Sequence, residues 1–333
     1  MTPQVNNISD IDFVGGILRR YGNAVLSALL KDHTTGKNII WADTEYAQLG
    51  EGYMPYDEIS PAKISDRRTI EPRFVKDADK QAWRTKRKAE VFTPIWLCER
   101  MVDCIDDAFF GKEPSRFARA DNNELPSYAG FNRTARLAEN ELWKRYVDNR
   151  LLEITCGEAP FICSPYDATT GDIVPGYKRV GFLDRKLMVV SHFTGTYKEW
   201  FEWARRALES SYGYEYQGDN LLIARINVFN TMVDYMEERW NKLPSVHEAQ
   251  LMARIISWNL WQMDGLRGCV PSKWDVPDEK NPQMSLFELG LMNEESAVGD
   301  KDAPEQTSPE FAQKCMIYDW RARKPQTYES LKG

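Results

Sequence analysis

Three places in the chain set chemistry-bearing residues at the ends of apolar runs. Leu151-Leu152-Glu153-Ile154 passes into Thr155-Cys156-Gly157-Glu158-Ala159-Pro160-Phe161. This is the pattern of a buried strand ending in a tight turn, where glycine lets backbone approach a ligand because it has no Cβ and tolerates positive φ. Ser211-Tyr212-Gly213-Tyr214-Glu215 ends in an acid ahead of a long helical stretch, and Asn259-Leu260-Trp261-Gln262-Met263-Asp264 ends in another. In open α/β sheets, ligands sit beyond the carboxyl ends of the strands. In this order the three tips suit a nucleoside bearing a charged small group. The glycine turn admits backbone to the ligand, Glu215 takes both ribose hydroxyls, and Asp264 accepts from an adenine amino group through a charge-assisted bond. Each feature alone has a plainer reading: a turn glycine, an exposed turn acid, a helix or turn cap.

The elements that must position these tips follow from periodicity. Residues 12–31 predict a helix from the spacing of Phe13, Val14, Ile17, Leu18, Tyr21, Val25, Leu26, Leu29 and Leu30. Lys37–Ala42 predicts a short strand, followed by a turn-rich stretch around Gly50, Gly52 and Pro55. Thr93 is a candidate N-cap and Pro94 a first helical residue, with Trp96, Leu97, Met101, Val102 and Ile105 on one face. Further helices are expected at 197–210, from Leu221 through Met236, and at 246–258. Residues 111–140 and 272–312 are polar and read as loops or disordered insertions, and Cys315–Trp320 as one more apolar run.

Residues 67–88 carry nine Lys or Arg against three acids, in a chain whose formal charge is −7. Such a segment reads either as a surface for nucleic-acid phosphates, centred on Arg84, Lys86, Arg87 and Lys88, or as the solvated face of a helix. The six cysteines form no CxxC pair and have no His at ligand spacing, which predicts reduced thiols in a cytoplasmic protein and no metal site. The N-terminus lacks the features of a signal peptide, and no apolar run is long enough to span a bilayer.

The chain resembles the family known as restriction endonuclease subunit M, which is similar to the adenine-N6 DNA methyltransferases that use S-adenosylmethionine. Phe92-Thr93-Pro94 resembles their Phe/Tyr-Thr-Pro element, and Thr155, Cys156, Gly157, Glu158, Ala159 and Phe161 resemble their Pro-x-Cys-Gly-x-Gly-x-Phe cofactor loop. Tyr212–Glu215 with Leu222–Asn227 resembles the ribose-binding strand and helix, and Trp261–Leu266 the adenine-contacting segment. The narrower resemblance runs from about Lys37 to the end of the chain, and Glu153–Phe161 and the Asp319-Trp320-Arg321 stretch are its most specific pieces. It implies an α/β fold with a class I methyltransferase-like, Rossmann-like sheet over residues 91–333, preceded by a helical and basic region over 1–90. It further implies S-adenosylmethionine as cofactor, DNA as partner, and methyl transfer to an adenine amino group.

Two departures stand out. The second loop glycine is Ala159, which is expected to narrow the cofactor's room, and no Asn/Asp-Pro-Pro-Tyr/Phe catalytic motif is present. Asn281-Pro282 and Asp319-Trp320 are partial matches, and Ser164-Pro165-Tyr166 lies too close to the loop. The chain may therefore be read as a catalyst, as a non-catalytic module binding cofactor or DNA, or as half of a split enzyme whose catalytic motif comes from a second subunit. A metal-dependent nuclease would need a Pro-Asp…Glu-x-Lys arrangement or a His cluster, which the sequence lacks. In a purely structural protein, Gly157, Glu215 and Asp264 would not converge.

Overall fold

A computed structural model of the chain describes residues 12–65, 69–76, 81, 84–85, 93–111, 137–272 and 313–331. The fold is mixed α/β. Helix α1 (Phe13–Leu30) opens it; Asp12 caps the helix by accepting from Gly15 N–H, and Gly22, at φ +73°, breaks its regularity. Helices α2 (Ile95–Phe110) and α3 (Leu142–Val147) precede strand β1 (Leu151–Glu153). Helices α4 (Phe182–Phe193) and α5 (Tyr197–Glu209) then cross to β2 (Ser211–Glu215). Helices α6 (Gly218–Trp240) and α7 (Val246–Asn259) cross to β3 (Leu260–Gln262). A hairpin of β4 (Met316–Asp319) and β5 (Lys324–Thr327) follows.

The three strands form a parallel sheet in the order β1-β2-β3, with Glu153 opposite Gly213 and Glu215 opposite Gln262. Parallel neighbours need long crossovers, which the two helix pairs supply. Both faces of the sheet are covered. Helices α5, α6 and α7 pack on one face, and α6 is buried almost along its whole first five turns. The hairpin closes the other face, where Tyr214, Trp261 and Met263 meet Cys315 and Ile317.

Local sequence explains the helix boundaries. Ser245 and Glu248 form a capping box at the start of α7, and Thr196 caps α5 through Glu199 N–H. Asn241, in the left-handed region at φ +48°, ends α6. The fully buried Arg225 of α6 donates to the carbonyls of Leu29, Lys31, Ser257 and Leu260, so one guanidinium serves the carboxyl ends of both α1 and α7. Among the described residues, Phe13 to Leu30 join the same hydrophobic core as residues of α3 to α7.

Some expected elements differ. The Lys37–Ala42 stretch is extended but joins the structure through single bridges, Lys31 to Asn38 and Ile40 to Glu58, and through Gln262, whose amide pairs with both the N–H and the C=O of Ile40. On α2, Pro94 takes the cap position with no side-chain bond from Thr93, and the buried face carries Cys98, Val102, Asp103, Asp106 and Phe110. Trp96 and Met101, expected inside, are exposed. The two buried aspartates are there because Arg185 of α4 reaches both at 2.7 Å. The partial motif at Asn281-Pro282 and most of the two expected insertions lie outside the described residues. Among the described residues, no helix is long and apolar enough to cross a membrane.

Candidate functional site

The carboxyl end of the sheet gathers the first two tips. After Glu153 the chain turns through Thr155 (φ +46°), Gly157 (φ +53°) and Ala159 (φ +66°), three left-handed residues at alternate positions. A run of this kind turns backbone N–H groups inward onto an anion. Here Gly157 N–H donates to Glu215 Oε2 at 2.8 Å, and Cys156 N–H donates to Tyr214 O at 2.8 Å. The loop after β1 is thus fastened onto the end of β2. Glu215 Oε1 also accepts from Gln217 N–H at 3.1 Å. Among the described residues, a Cβ placed on Gly157 would meet nothing within 4 Å.

Two further carboxylates shape the loop. Glu153, the last residue of β1, accepts from the N–H groups of Phe161 (3.3 Å) and Ile162 (3.0 Å) and so closes the loop from behind. Burial pushes its carboxyl well above the usual range, the two N–H donors oppose this, and nearby Glu215 adds to it. Glu158 directs its carboxylate away from open solvent, toward Arg73 N–H and the Tyr166 hydroxyl, both at 2.6 Å. Cys156 is buried under Gly213, and its thiol is raised well above the ordinary value, first by burial and then by Glu153 and Glu215.

Ala159 corrects an expectation. Its side chain is fully buried in the core, so its methyl does not enter the open space at Gly157. The substitution instead places an L-residue in a glycine-like conformation, a local backbone strain. Asp264 stands beyond the third tip, but its Oδ1 accepts from Leu266 and Arg267 N–H within its own turn. It therefore behaves as a turn cap, whereas Gly157 and Glu215 are in direct contact. Thr93 lies at the start of α2, where its carbonyl faces the Cys98 thiol at 3.8 Å. Burial, with Glu153 nearby, pushes that thiol up to about 12. Phe92 lies outside the described residues.

The basic segment also reads differently in three dimensions. Arg84 is fully buried: it contacts Glu45 at 2.5 Å, Asp219 at 3.1 Å and Asp43 at 3.5 Å, and it donates to Gln217 and Asn220. Lys76 meets Asp219 at 3.0 Å, and the Tyr46 hydroxyl donates to the same carboxylate at 2.8 Å. Arg84 is therefore not a surface cation, because carboxylates from 43–45 and from the first turn of α6 draw it inside. Lys86, Arg87 and Lys88 lie outside the described residues.

The roles of Glu153, Tyr166, Asn227 and Asp219 were not assigned from sequence. A Glu closing an apolar strand is the one available signal, whereas the Tyr166–Asn227 and Lys76–Asp219 contacts join residues 61 and 143 positions apart. A cleft of about 570 Å³ lies on the far side of the sheet end, lined by Asn38, Tyr56, Glu58, Lys63, Gln262 and Pro271. The acids Asp57 and Glu58 there accept from the N–H groups of Met54 and Asn38. No family model, curated protein or solved structure matches this chain.

Proposed function

We propose that this chain binds S-adenosylmethionine at the β1–β2 tips and serves adenine-N6 DNA methylation. The observation that carries the reading is the 2.8 Å bond between Gly157 N–H and Glu215, which joins the glycine turn to the acidic tip. The residues suit such a ligand. Glu215 accepts one backbone N–H on each carboxylate oxygen, and a charged acceptor at a strand tip suits a ribose hydroxyl. The open side of Gly157 leaves room for a group at the backbone. Thr93 and Pro94 would flank the methionine end, and Asp264, whose Oδ2 lies 3.8 Å from Arg267 Nε, would lie toward the adenine. The cofactor, once bound, supplies a methyl group already activated on a sulfonium, so the protein's share is positioning and exclusion of water.

A second reading, the cofactor-binding half of a split enzyme, is favoured by one observation. Asp319-Trp320, a partial catalytic motif, is committed to structure: Asp319 Oδ1 accepts from Arg321 and Ala322 N–H, and the Trp320 indole donates to Asn259 at 2.7 Å. In this reading a second subunit brings the adenine-binding motif. DNA contact would fall to basic residues other than Arg84.

Calorimetric titration with S-adenosylmethionine tests the site. Wild-type protein is expected to bind, and Glu215→Ala to bind more weakly by about 1–3 kcal/mol, the range for losing a charged hydrogen-bond partner. Absence of wild-type binding would end the proposal. Methyl incorporation into DNA, measured on the same sample, separates the full enzyme from the split one.

A further inference from the structure

Glu158 is held at three points immediately after Gly157. Its carboxylate accepts from Arg73 N–H and from the Tyr166 hydroxyl, each at 2.6 Å. Its main-chain carbonyl accepts from Asn227 Nδ2 at 3.0 Å, and the same amide donates to the Tyr166 oxygen at 2.9 Å. Tyr166 and Asn227 are buried, so these bonds form where water competes little. Three parts of the chain therefore converge on one residue of the loop: the segment at Arg73, the turn at Tyr166 and the middle of α6.

The same segment has a second anchorage. Lys76 and Arg84 reach Asp219, four residues past Glu215 in sequence. Arg73 is thus tied to the β1 loop, and Lys76 and Arg84 to the start of α6, two anchorages that flank Glu215 in sequence. Gly157 has no side chain to fix its own φ and ψ, and its left-handed turn is held by the residues around it.

We propose that Glu158 is a positioning residue for the Gly157–Glu215 pair, and that with Tyr166 and Asn227 it sets the glycine turn and the overlying Arg73 segment as one unit. The inference rests on the cofactor reading for its consequence, though not for its geometry. Removing the carboxylate frees Arg73 N–H and the Tyr166 hydroxyl together. Glutamine retains an acceptor for Arg73 N–H and can donate to the Tyr166 oxygen, so it restores part of the arrangement.

Two measurements on the full chain test it. Amide hydrogen exchange of ligand-free protein reads the turn directly: Gly157 and Arg73 N–H should exchange at least tenfold faster in Glu158→Ala than in wild type, with Glu158→Gln between them. Titration with S-adenosylmethionine should show affinity at least tenfold weaker in Glu158→Ala, partly restored in Glu158→Gln. Lys144→Ala, which removes an exposed ion pair with Glu141 ahead of β1, should leave both readings unchanged. Unchanged exchange at Gly157 in Glu158→Ala would overturn the proposal, as would alanine and glutamine variants that behave alike. If wild type fails to bind S-adenosylmethionine while the exchange pattern appears as expected, the cofactor reading falls and the positioning role stands.

Discussion

Arg84 belongs to a segment whose composition points outward, toward phosphate, yet its guanidinium points inward. It meets Glu45, Asp219 and Asp43 with no exposure to solvent. Burying an ion pair is not strongly stabilising in itself, but removing one partner leaves an uncompensated charge in a poorly solvated place. Arg84→Ala is therefore expected to lower unfolding free energy by about 3–5 kcal/mol, as read from urea denaturation. A surface cation would cost less than about 0.5 kcal/mol, and a change that small would return Arg84 to the exterior. Glu153 and Glu158 make the same point about the site. In sequence, Glu158 is one more loop acid and Glu153 the end of an apolar run, but each is held by backbone N–H donors that only the folded loop brings together. Residue type announced that acids matter here, and only geometry told which of them faces a ligand and which holds the loop.

At the scale of elements, the strand-turn-acid order was legible. The runs ending at Glu153 and Glu215 are strands, the third strand stops at Gln262, two residues short of the expected acid Asp264, and the three lie side by side in chain order. The amphipathic helices α5 and α7 fall within a residue or two of the expected ends because their caps are local, Thr196 with Glu199 and Ser245 with Glu248. What could not be read depends on distant partners. The apolar residues of Val180–Val190 fall in two short runs without a local cap signal, yet Phe182–Phe193 forms α4, with Asp184 accepting from Ser164 and Gly181 N–H to set its start. The amino ends of β1 and β2 are tied by Lys186 of α4, whose ammonium donates to Asn149 O, Ser210 O and Ser210 Oγ. Burial drives this lysine down from 10.5 to about 7. Between those values the unfolded chain binds the proton and the folded one releases it, so stability contributed at this position rises with pH across the window. Lys186→Met should flatten that dependence. Urea midpoints at pH 6.5 and 9.5 are expected to differ more in wild type than in the variant, and equal differences would refute the assignment.

At the scale of the whole molecule, the sheet is open on the β1 side among the described residues. Leu151 N–H bonds Ser210 O, so the alternation of a parallel ladder turns the N–H and C=O of Leu152 outward. Leu152 and Ile154 are 39% and 63% exposed there. Natural sheets guard such edges with charge, proline or a covering element. The guanidinium of Arg150 beside this edge is directed at Asp319, 3.7 Å away. Long-range repulsion from the formal charge of −7 opposes pairing of two copies along this edge. That repulsion vanishes near pH 5.3, where positive and negative charges balance. Ile154→Lys should accordingly leave urea stability within about 0.5 kcal/mol, because the side chain is mostly in water. The same change should reduce light scattering of concentrated protein at pH 5.3 while altering it little at pH 8. Equal scattering by both proteins at pH 5.3 would show that association uses another surface. A fall in stability above 1 kcal/mol would show instead that Ile154 packs against the fold.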